Sequence, residues 1–153
     1  MEHYVFSTPY GNMAIDLHGE KVYWIRSTSE PVSGHHPSVH AENAASQLNA
    51  FFSGTLKHMT FAYEIQGTAF QRKVLETLAQ VPYGTTLSYS ELAHKAGYER
   101  AVRATANVVA RNLLPFVLPC HRIIQKDGRY GNYGGGAKMK KSLIDMEIAR
   151  TAM

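Results

Sequence analysis

The sequence contains very little cysteine and no long apolar run. Cys120 is the one cysteine among 153 residues, so neither an internal disulfide nor a zinc site built from several thiolates can form. No stretch approaches the roughly 20 apolar residues that a helix needs to span a bilayer. The first residues also lack the basic and apolar regions of a signal peptide. These absences predict a soluble protein of a reducing compartment, the cytoplasm or, in a eukaryote, the nucleus.

Acidic side chains are scarce in the second part of the chain. Residues 1–65 hold three basic and six acidic side chains, a net charge of −3, whereas residues 66–153 hold thirteen basic and six acidic ones, a net charge of +7. A basic half joined to an acidic half indicates a polyanionic partner for the basic half. The alternative is an ordinary solvated surface, and charge alone favours neither.

Residues 1–65 have the pattern of an α+β subdomain. Alternating apolar residues around the turn sequences 9–12 and 18–21 predict a meander of three strands. Ser38 can cap a helix that Gly54 ends, and residues 58–65 are typical of a further short strand. Nothing in this part carries a chemical motif, and a domain boundary is predicted after residue 65.

Residues 66–153 have the pattern of a mainly helical domain. Thr68 with Gln71, and Ser88 with Glu91, form the capping boxes of two helices. The second of these helices, the turn at Gly97 and the arginine-bearing helix that follows predict a helix-turn-helix.

The last of these helices presents small side chains on the face that we expect to be exposed. They are Ala101, Ala104, Thr105 and Asn107, and Arg103 is the single large side chain among them. A helix that reads base edges would carry several Asn, Gln or Arg side chains on one face. The composition of this helix therefore favours close approach to DNA without sequence preference.

The segment PFVLPCHRIIQ, residues 115–125, places the only thiol directly before a histidine and an arginine. A thiol is only slightly ionised near neutral pH and needs a base, which in acyl-transfer triads is a histidine oriented by a carboxylate. In an extended strand His121 would point away from Cys120, but a turn after Pro119 could bring the two to one side. Three acidic residues remain open as the carboxylate: Asp127, Asp145 and Glu147.

At PCHRII the sequence resembles the active-site motif of the O6-alkylguanine-DNA alkyltransferases, also called methylated-DNA–protein-cysteine methyltransferases. The resemblance continues in GTAFQRKVLETLAQVPYGTTLSYSELA, AVRATANVVARNLLPFVLPCHRII and GNYGGGAKMKKSLIDMEIA, and so covers most of the last 88 residues. The first 65 residues resemble the family's variable N-terminal subdomain in length and β-rich character alone. The resemblance implies an α+β fold, in which a small ribonuclease H-like sheet-and-helix subdomain precedes a mainly helical domain with the helix-turn-helix.

The resemblance also implies the catalytic residues. Cys120 would be the acceptor thiol, His121 its base through a water molecule, and Glu147 the carboxylate that orients the histidine. Asn112 would hold the turn ahead of the active-site segment and order these groups. Leu113 stands where the family commonly has proline, which would loosen that turn.

Pocket and DNA-binding residues follow from the same resemblance. Tyr89 would donate a proton to the departing guanine, and Arg103 would enter the duplex in place of the extruded nucleotide. The other implied substrate-binding residues are Tyr133, Gly134 and Lys140. The other implied DNA-binding residues are Gln71, Ser90 and Ala104. Gly134 replaces a frequent serine of the guanine-binding loop, so one hydrogen bond to the base would be missing.

The implied function is direct reversal of DNA alkylation. An alkyl group would pass irreversibly, once per protein molecule, from O6 of guanine or O4 of thymine to Cys120 after nucleotide flipping, with no cofactor and no metal. The partner would be double-stranded DNA bound through its minor groove by a monomer. The alternatives are a non-enzymatic lesion sensor, a helix-turn-helix regulator and a cysteine hydrolase. The intact Cys120, His121 and Glu147 disfavour the first two, and a hydrolase has no use for Arg103.

Overall fold

The computed structural model describes residues 1–128 and 136–151. The chain divides into two compact units, Met1–Ile65 and Gln66–Met153. A three-stranded sheet with one helix forms the first unit, and the second is mainly helical, so the α+β class predicted from the sequence is confirmed. Among the helices of the described residues, none is both long enough and apolar enough to cross a membrane.

The first unit contains the predicted meander. The strands β1 (Glu2–Thr8), β2 (Gly11–His18) and β3 (Lys21–Ser27) form an antiparallel sheet in that order. Gly11, the first residue of β2, has φ of 98°, and Gly19, just after the strand, has φ of 59°. Glycine adopts both values without strain. Residues 13–17 of the central strand are all buried, whereas the sequence predicted an alternating pattern there.

The helix α1 (Val39–Phe52) begins at the predicted cap. The hydroxyl of Ser38 accepts a hydrogen bond from the Ala41 N–H at 3.1 Å, and the Ser38 N–H donates to the Glu2 carboxylate at 2.9 Å. One face of the helix is buried in the first unit. The buried side chains are Ala41, Ala44, Ala45, Leu48, Phe51 and Phe52.

The strand predicted at residues 58–65 is wrong. This segment meets the edge strand β3 at one residue, where Val22 and Tyr63 form an isolated parallel bridge. The Val22 N–H donates to the Ala62 carbonyl at 3.0 Å, and the Glu64 N–H donates to the Val22 carbonyl at 2.9 Å. Two backbone hydrogen bonds around one residue are too few for a ladder, so the segment stays irregular although its residues suit a strand.

The described residues of the second unit include four α-helices. They are α2 (Ala69–Leu78), α3 (Tyr89–Lys95), α4 (Val102–Ala110) and α5 (Ala137–Thr151). Both predicted capping boxes are present, at the starts of α2 and α3. Two short strands, β4 (Leu87–Ser88) and β5 (Ile123–Ile124), pair in parallel. This pairing places the start of α3 beside the segment that follows Cys120.

The two helices α3 and α4 have the predicted helix-turn-helix form. Gly97 ends α3 with φ of 86°, and the Tyr98 N–H closes the turn on the Ala93 carbonyl at 2.9 Å. On α4, Arg103 and Ala104 are exposed as expected. The expectation that Thr105 is exposed is wrong, because this side chain is fully buried together with Val109. The buried face of α4 therefore includes Thr105, although the polarity of this residue had predicted an exposed position.

Candidate active site

Cys120 lies in a turn and not in a strand. Residues Cys120–Arg122 form one turn of 3-10 helix, in which the Arg122 N–H donates to the Pro119 carbonyl at 2.9 Å. Successive side chains of a 3-10 helix lie about a third of a turn apart, so adjacent residues are not forced onto opposite faces as in a strand. Cys120, His121 and Arg122 are all buried. The turn after Pro119 that the sequence left open is therefore formed.

Asn112 closes the loop that leads to this turn. Its Nδ2 donates to the Leu118 carbonyl at 2.8 Å, and its Oδ1 accepts from the Leu114 N–H at 2.9 Å. Within the loop Phe116 has φ of 77°, a left-handed conformation that is costly for a bulky residue and requires support from its surroundings. The two hydrogen bonds of Asn112 supply part of that support, and they form although Leu113 is not a proline.

His121 and Glu147 form a buried hydrogen-bonded pair. The Nε2 atom of His121 lies 2.5 Å from Oε2 of Glu147, which projects from α5. Burial by itself would raise the pKa of the Glu147 carboxyl, but the hydrogen bonds from His121 and Arg122 outweigh it and lower the pKa to about 2. Glu147 is therefore an anion at neutral pH, and Nε2 of His121 carries the hydrogen that the two share.

The electrostatic surroundings keep His121 neutral. Burial lowers the pKa of the imidazole, and the positive charges of Arg122 and Lys140 act in the same direction, against the effect of Glu147. With the hydrogen on Nε2, the basic nitrogen of the neutral ring is Nδ1. A neutral, oriented imidazole directly after a cysteine is able to accept the proton of a thiol.

Cys120 itself is a protonated thiol in this structure. Burial raises the pKa of its thiol, and the Asn112 side chain and the charge of Lys140 oppose that increase. The Lys140 ammonium is also fully buried and donates to the Ile123 carbonyl. Burial lowers the pKa of Lys140 to about 8, and a negative charge on Cys120 acts in the opposite direction. A thiolate therefore forms here only when a base takes the proton and a neighbouring cation stabilises the charge.

Tyr89 is the first residue of α3 and lies near the thiol. Burial raises the pKa of its phenol, and a negative charge on Cys120 raises it further. The parallel pairing of Ser88 with Ile124 brings the start of α3 against the chain just beyond the cysteine. The phenol and the thiol thus interact although 31 positions separate them in the sequence.

The structure brings six of the predicted site residues together. They are Tyr89, Asn112, Cys120, His121, Lys140 and Glu147. The predicted DNA-binding residues lie on the exposed surface of the three helices that precede the cysteine: Gln71, Ser90, Arg103 and Ala104. The Gln71 side-chain oxygen is engaged at the start of α2, where it accepts the Thr68 N–H at 2.9 Å. Tyr133 and Gly134 lie outside the described residues.

Arg122 is the member of the cluster that the sequence reasoning missed. Its Nε and Nη2 donate to the two oxygens of Glu147 at 2.8 and 3.0 Å, and its Nη1 donates to the Val81 carbonyl at 2.7 Å. The Gly84 N–H also donates to Glu147, at 3.0 Å. A basic residue inside the apolar run of residues 115–125 was the one available signal, since an arginine is buried only when it is paired.

Comparisons of the chain with known proteins indicate its family. The sequence pattern of the 6-O-methylguanine DNA methyltransferase DNA-binding domain matches residues 69–149. A methylated-DNA–protein-cysteine methyltransferase of Mycobacterium tuberculosis is 35% identical over 98% of this chain and 94% of its own length. One from Methanosarcina barkeri is 39% identical over 68% of this chain and 66% of its own length.

Solved structures show the same similarity. The crystal structure of Mycobacterium tuberculosis OGT in complex with DNA superposes with a TM-score of 0.88 and 31% identity, over 98% of this chain and 94% of that one. The O6-methylguanine-DNA methyltransferase of the archaeon Pyrococcus kodakaraensis shares the fold, with a TM-score of 0.66 and 23% identity over 95% of this chain and 97% of that one. On the sequence pattern, the relatives and the shared fold, this chain belongs to the methylated-DNA–protein-cysteine methyltransferase family.

Proposed function

We propose that this protein repairs alkylated DNA by transferring a methyl or larger alkyl group from O6 of guanine to Sγ of Cys120. The observation that carries the proposal is the hydrogen bond of 2.5 Å between His121 and the ionised Glu147, directly beside the only thiol of the chain. A DNA-binding regulator has no use for a buried base oriented in this way. The family to which the chain belongs supplies the substrate class.

The first chemical step is activation of the thiol. The proton of Cys120 passes through a water molecule to Nδ1 of His121, while Nε2 of the same ring stays bonded to Glu147. The resulting imidazolium is stabilised by that carboxylate. The thiolate is stabilised by the Asn112 side chain and by the charge of Lys140, which are among the groups that lower the pKa of Cys120 against the effect of burial.

The second step is displacement at the alkyl carbon. A bond forms between Sγ and carbon, the bond from carbon to O6 breaks, and its electron pair stays on the guanine. Tyr89 donates its phenolic proton to the base as that charge develops. The negative charge of Cys120 raises the pKa of Tyr89, and alkylation removes that charge. The phenol therefore becomes a stronger acid at the moment when the guanine needs a proton.

The product explains why each molecule acts once. The sulfur and carbon atoms form a thioether, which ordinary hydrolysis does not break. Cys120 is the only thiol in the chain, so no second cysteine is available to take over the alkyl group. The protein is consumed in a ratio of one molecule per lesion.

The burial of the thiol supports nucleotide flipping as a part of this proposal. Cys120 is only 7% exposed, so a base stacked in a duplex cannot present its alkyl carbon to Sγ. Flipping costs about a few kcal/mol, less at a weakened damaged pair. Arg103 occupies the vacated position, and the small exposed Ala104 lets α4 approach the minor groove closely.

Phosphate contacts from the basic second unit supply affinity without sequence preference. Exposed Ser90 and Gln71 join the DNA-contacting surface on α3 and α2. The protein acts as a monomer, and O4-alkylthymine is a second substrate. Tyr133 and Gly134 complete the wall of the guanine pocket in this proposal.

The deciding experiment is the intact mass of the protein after it is mixed with duplex DNA containing one O6-methylguanine. One added methyl group is expected, and peptide mapping should locate it on Cys120. Repaired DNA together with unmodified Cys120, or turnover beyond one equivalent, would contradict the mechanism. Binding without any transfer would identify a lesion sensor or a regulator instead.

A further inference from the structure

The carboxylate of Glu147 accepts four hydrogen bonds from the residues that the structure describes, and one of the four comes from His121. Oε2 accepts from His121 at 2.5 Å and from Nη2 of Arg122 at 3.0 Å, while Oε1 accepts from Nε of Arg122 at 2.8 Å and from the Gly84 N–H at 3.0 Å. Glu147 is 2% exposed and Arg122 is 5% exposed. Arg122 is thus the partner that donates two of these hydrogen bonds, one to each oxygen of the carboxylate.

We propose that Arg122 is a positioning residue of the transfer reaction, whose guanidinium fixes the orientation of Glu147, carries the charge that compensates it, and so leaves His121 as a neutral base. Arg122 acts through Glu147 and His121 and not on the DNA. The inference deepens the proposed function and rests on it for the reaction, although the charge states that it assigns are independent of any substrate.

The charge balance around His121 supports this assignment. A buried carboxylate beside an imidazole ordinarily favours the imidazolium, which could not accept a proton from a thiol. Here the guanidinium already forms a two-point ion pair with the carboxylate, an arrangement for which the planar fork of arginine is suited. Consistent with this, the pKa of His121 is lowered by burial first, and the charge of Arg122 contributes in the same direction.

The other ionisable groups around the pair do not take over the role of Arg122. Lys140, on the same helix as Glu147, lowers the pKa of both His121 and Cys120 through its charge. Tyr83 lies under the guanidinium, with the Cζ atom of Arg122 5.3 Å from the ring centre, and its phenol is neutral because burial raises its pKa. Arg150 interacts electrostatically with Tyr83. In the described residues, the hydrogen bonds that a cationic side chain donates to Glu147 come from Arg122.

Arg122 also anchors the site to a second segment of the chain. Its Nη1 donates to the Val81 carbonyl at 2.7 Å, three residues before the Gly84 N–H that binds the same carboxylate. This turn leads through β4 directly to Tyr89. The guanidinium therefore links the Glu147 carboxylate by hydrogen bonds to the turn that leads to Tyr89.

Two substitutions separate charge from geometry. Arg122→Gln removes the charge and the fork, and Arg122→Lys keeps the charge but loses the two-point contact. The control is Lys138→Gln, which removes one exposed positive charge from the helix that carries Glu147. For each variant and the parent, the ionisation of His121 is followed by NMR of labelled histidine, with the signal assigned from a His121→Gln spectrum. The single-turnover rate with methylated duplex is measured in parallel between pH 6 and 9.

In the parent and the control, His121 should be neutral throughout this range. In Arg122→Gln the His121 titration should move upward into the measured range, so that the transfer rate at pH 7 falls by the fraction of His121 that is protonated there and recovers toward pH 9. Arg122→Lys should restore the neutral imidazole but only part of the rate. If Arg122→Gln does not fold, the proposal is tested by the NMR spectrum of His121 in Arg122→Lys and by the titration of His121 in the parent.

A protonated His121 in the parent at pH 7 would overturn the proposal. So would an equal loss of rate at every pH in Arg122→Gln with the His121 titration unchanged, because a merely structural arginine would give that result. Failure of the proposed function would look different. The parent would then leave the methylated DNA unrepaired while the NMR titrations still reported the charge states.

Discussion

The backbone N–H of Gly84 donates a hydrogen bond of 3.0 Å to the carboxylate of Glu147, 63 positions further along the chain. Gly84 has φ of 80°, and a Cβ atom built on it would lie 2.2 Å from the hydroxyl oxygen of Thr151. The turn after α2 and the last helix are therefore in contact at the point where the carboxylate is held. Both the conformation and the space at this position require glycine.

Gly84→Ala should destabilise the protein and slow transfer together. The left-handed conformation costs a non-glycine residue about 1 to 2 kcal/mol, and the contact with Thr151 adds to that cost. The matched control is Gly97→Ala, which has a similar φ of 86° but no atom within 4 Å of the added Cβ. Urea unfolding should show the larger loss for Gly84→Ala, and a Thr151→Ala background should recover part of it. Equal losses at the two glycines would mean that strain alone, and not the packing against α5, makes Gly84 necessary.

Cys120→Ser should abolish alkyl transfer and leave DNA affinity nearly unchanged. The thiol is buried, so it contributes little to a surface that binds phosphates. Intact mass spectrometry measures the transfer, and gel shift with methylated and unmodified duplexes measures the binding. A parallel loss of affinity would show that the cysteine supports the structure of the DNA-binding surface.

Arg103→Ala should slow repair of a duplex strongly and leave transfer from the free base O6-benzylguanine nearly unchanged, if the pocket admits that base. Without the guanidinium the vacated position in the duplex is empty, and the flipped nucleotide returns to the stack. The loss of one cation among thirteen in this half should shift the salt dependence of affinity by about one phosphate contact or less.

The matched control for this prediction is Arg111→Ala, which removes an exposed arginine just beyond the end of the same helix. It should alter affinity to a similar extent but spare the repair rate. The measurement is the pair of single-turnover rates for each variant. Equal losses of Arg103→Ala on duplex and free base would assign Arg103 to the pocket and not to the extrusion step.

Glu147 should make the protein sensitive to acid. The pKa of its carboxyl is about 2 in the folded protein against an ordinary value of 4.5. Because the folded value is the lower one, the stabilisation is present above pH 4.5 and is lost as the pH falls toward 2. It amounts to a contribution on the order of 3 kcal/mol. In Glu147→Gln this acid-dependent loss should disappear from the unfolding free energy measured between pH 7 and pH 2.

Asp145→Asn provides the comparison, since Asp145 is exposed on the same helix and pairs with Lys141 at the surface. Removing the Asp145 carboxyl should leave the acid dependence of the unfolding free energy the same as in the parent. An unchanged acid dependence in Glu147→Gln would mean that other carboxyls, and not the relay carboxylate, govern acid unfolding.

Local signals in the sequence were enough to predict several elements. The capping boxes of Thr68 with Gln71 and Ser88 with Glu91 start helices where predicted, because each box joins residues only three positions apart. The meander of β1 to β3 and the cap of α1 at Ser38 are also confirmed. Turns, caps and hairpins depend on neighbours along the chain, so the chain order contains the information that they need.

Elements that depend on distant partners were predicted less well. Residues 58–65 have strand-forming composition, but they meet β3 only at Val22 and stay irregular. Thr105 is polar and was assigned to the solvent side of α4, yet it is fully buried. In both cases the outcome depends on which residues pack against the segment. The pattern of apolar residues along the chain does not identify those packing partners.

The sequence by itself determined the chemistry that is available: one thiol, followed by a histidine and an arginine, within a motif that is typical of its family. The family resemblance implied which acid serves that histidine, but only the tertiary structure shows the contact and its physical cause. Asp127, Asp145 and Glu147 were equal candidates by position, but α5 buries Glu147 against His121 and leaves Asp145 at the surface. The same burial recruited Arg122 and the Gly84 N–H to that carboxylate. A charge removed from water must be paired, and the fold determines which groups lie close enough to pair with it.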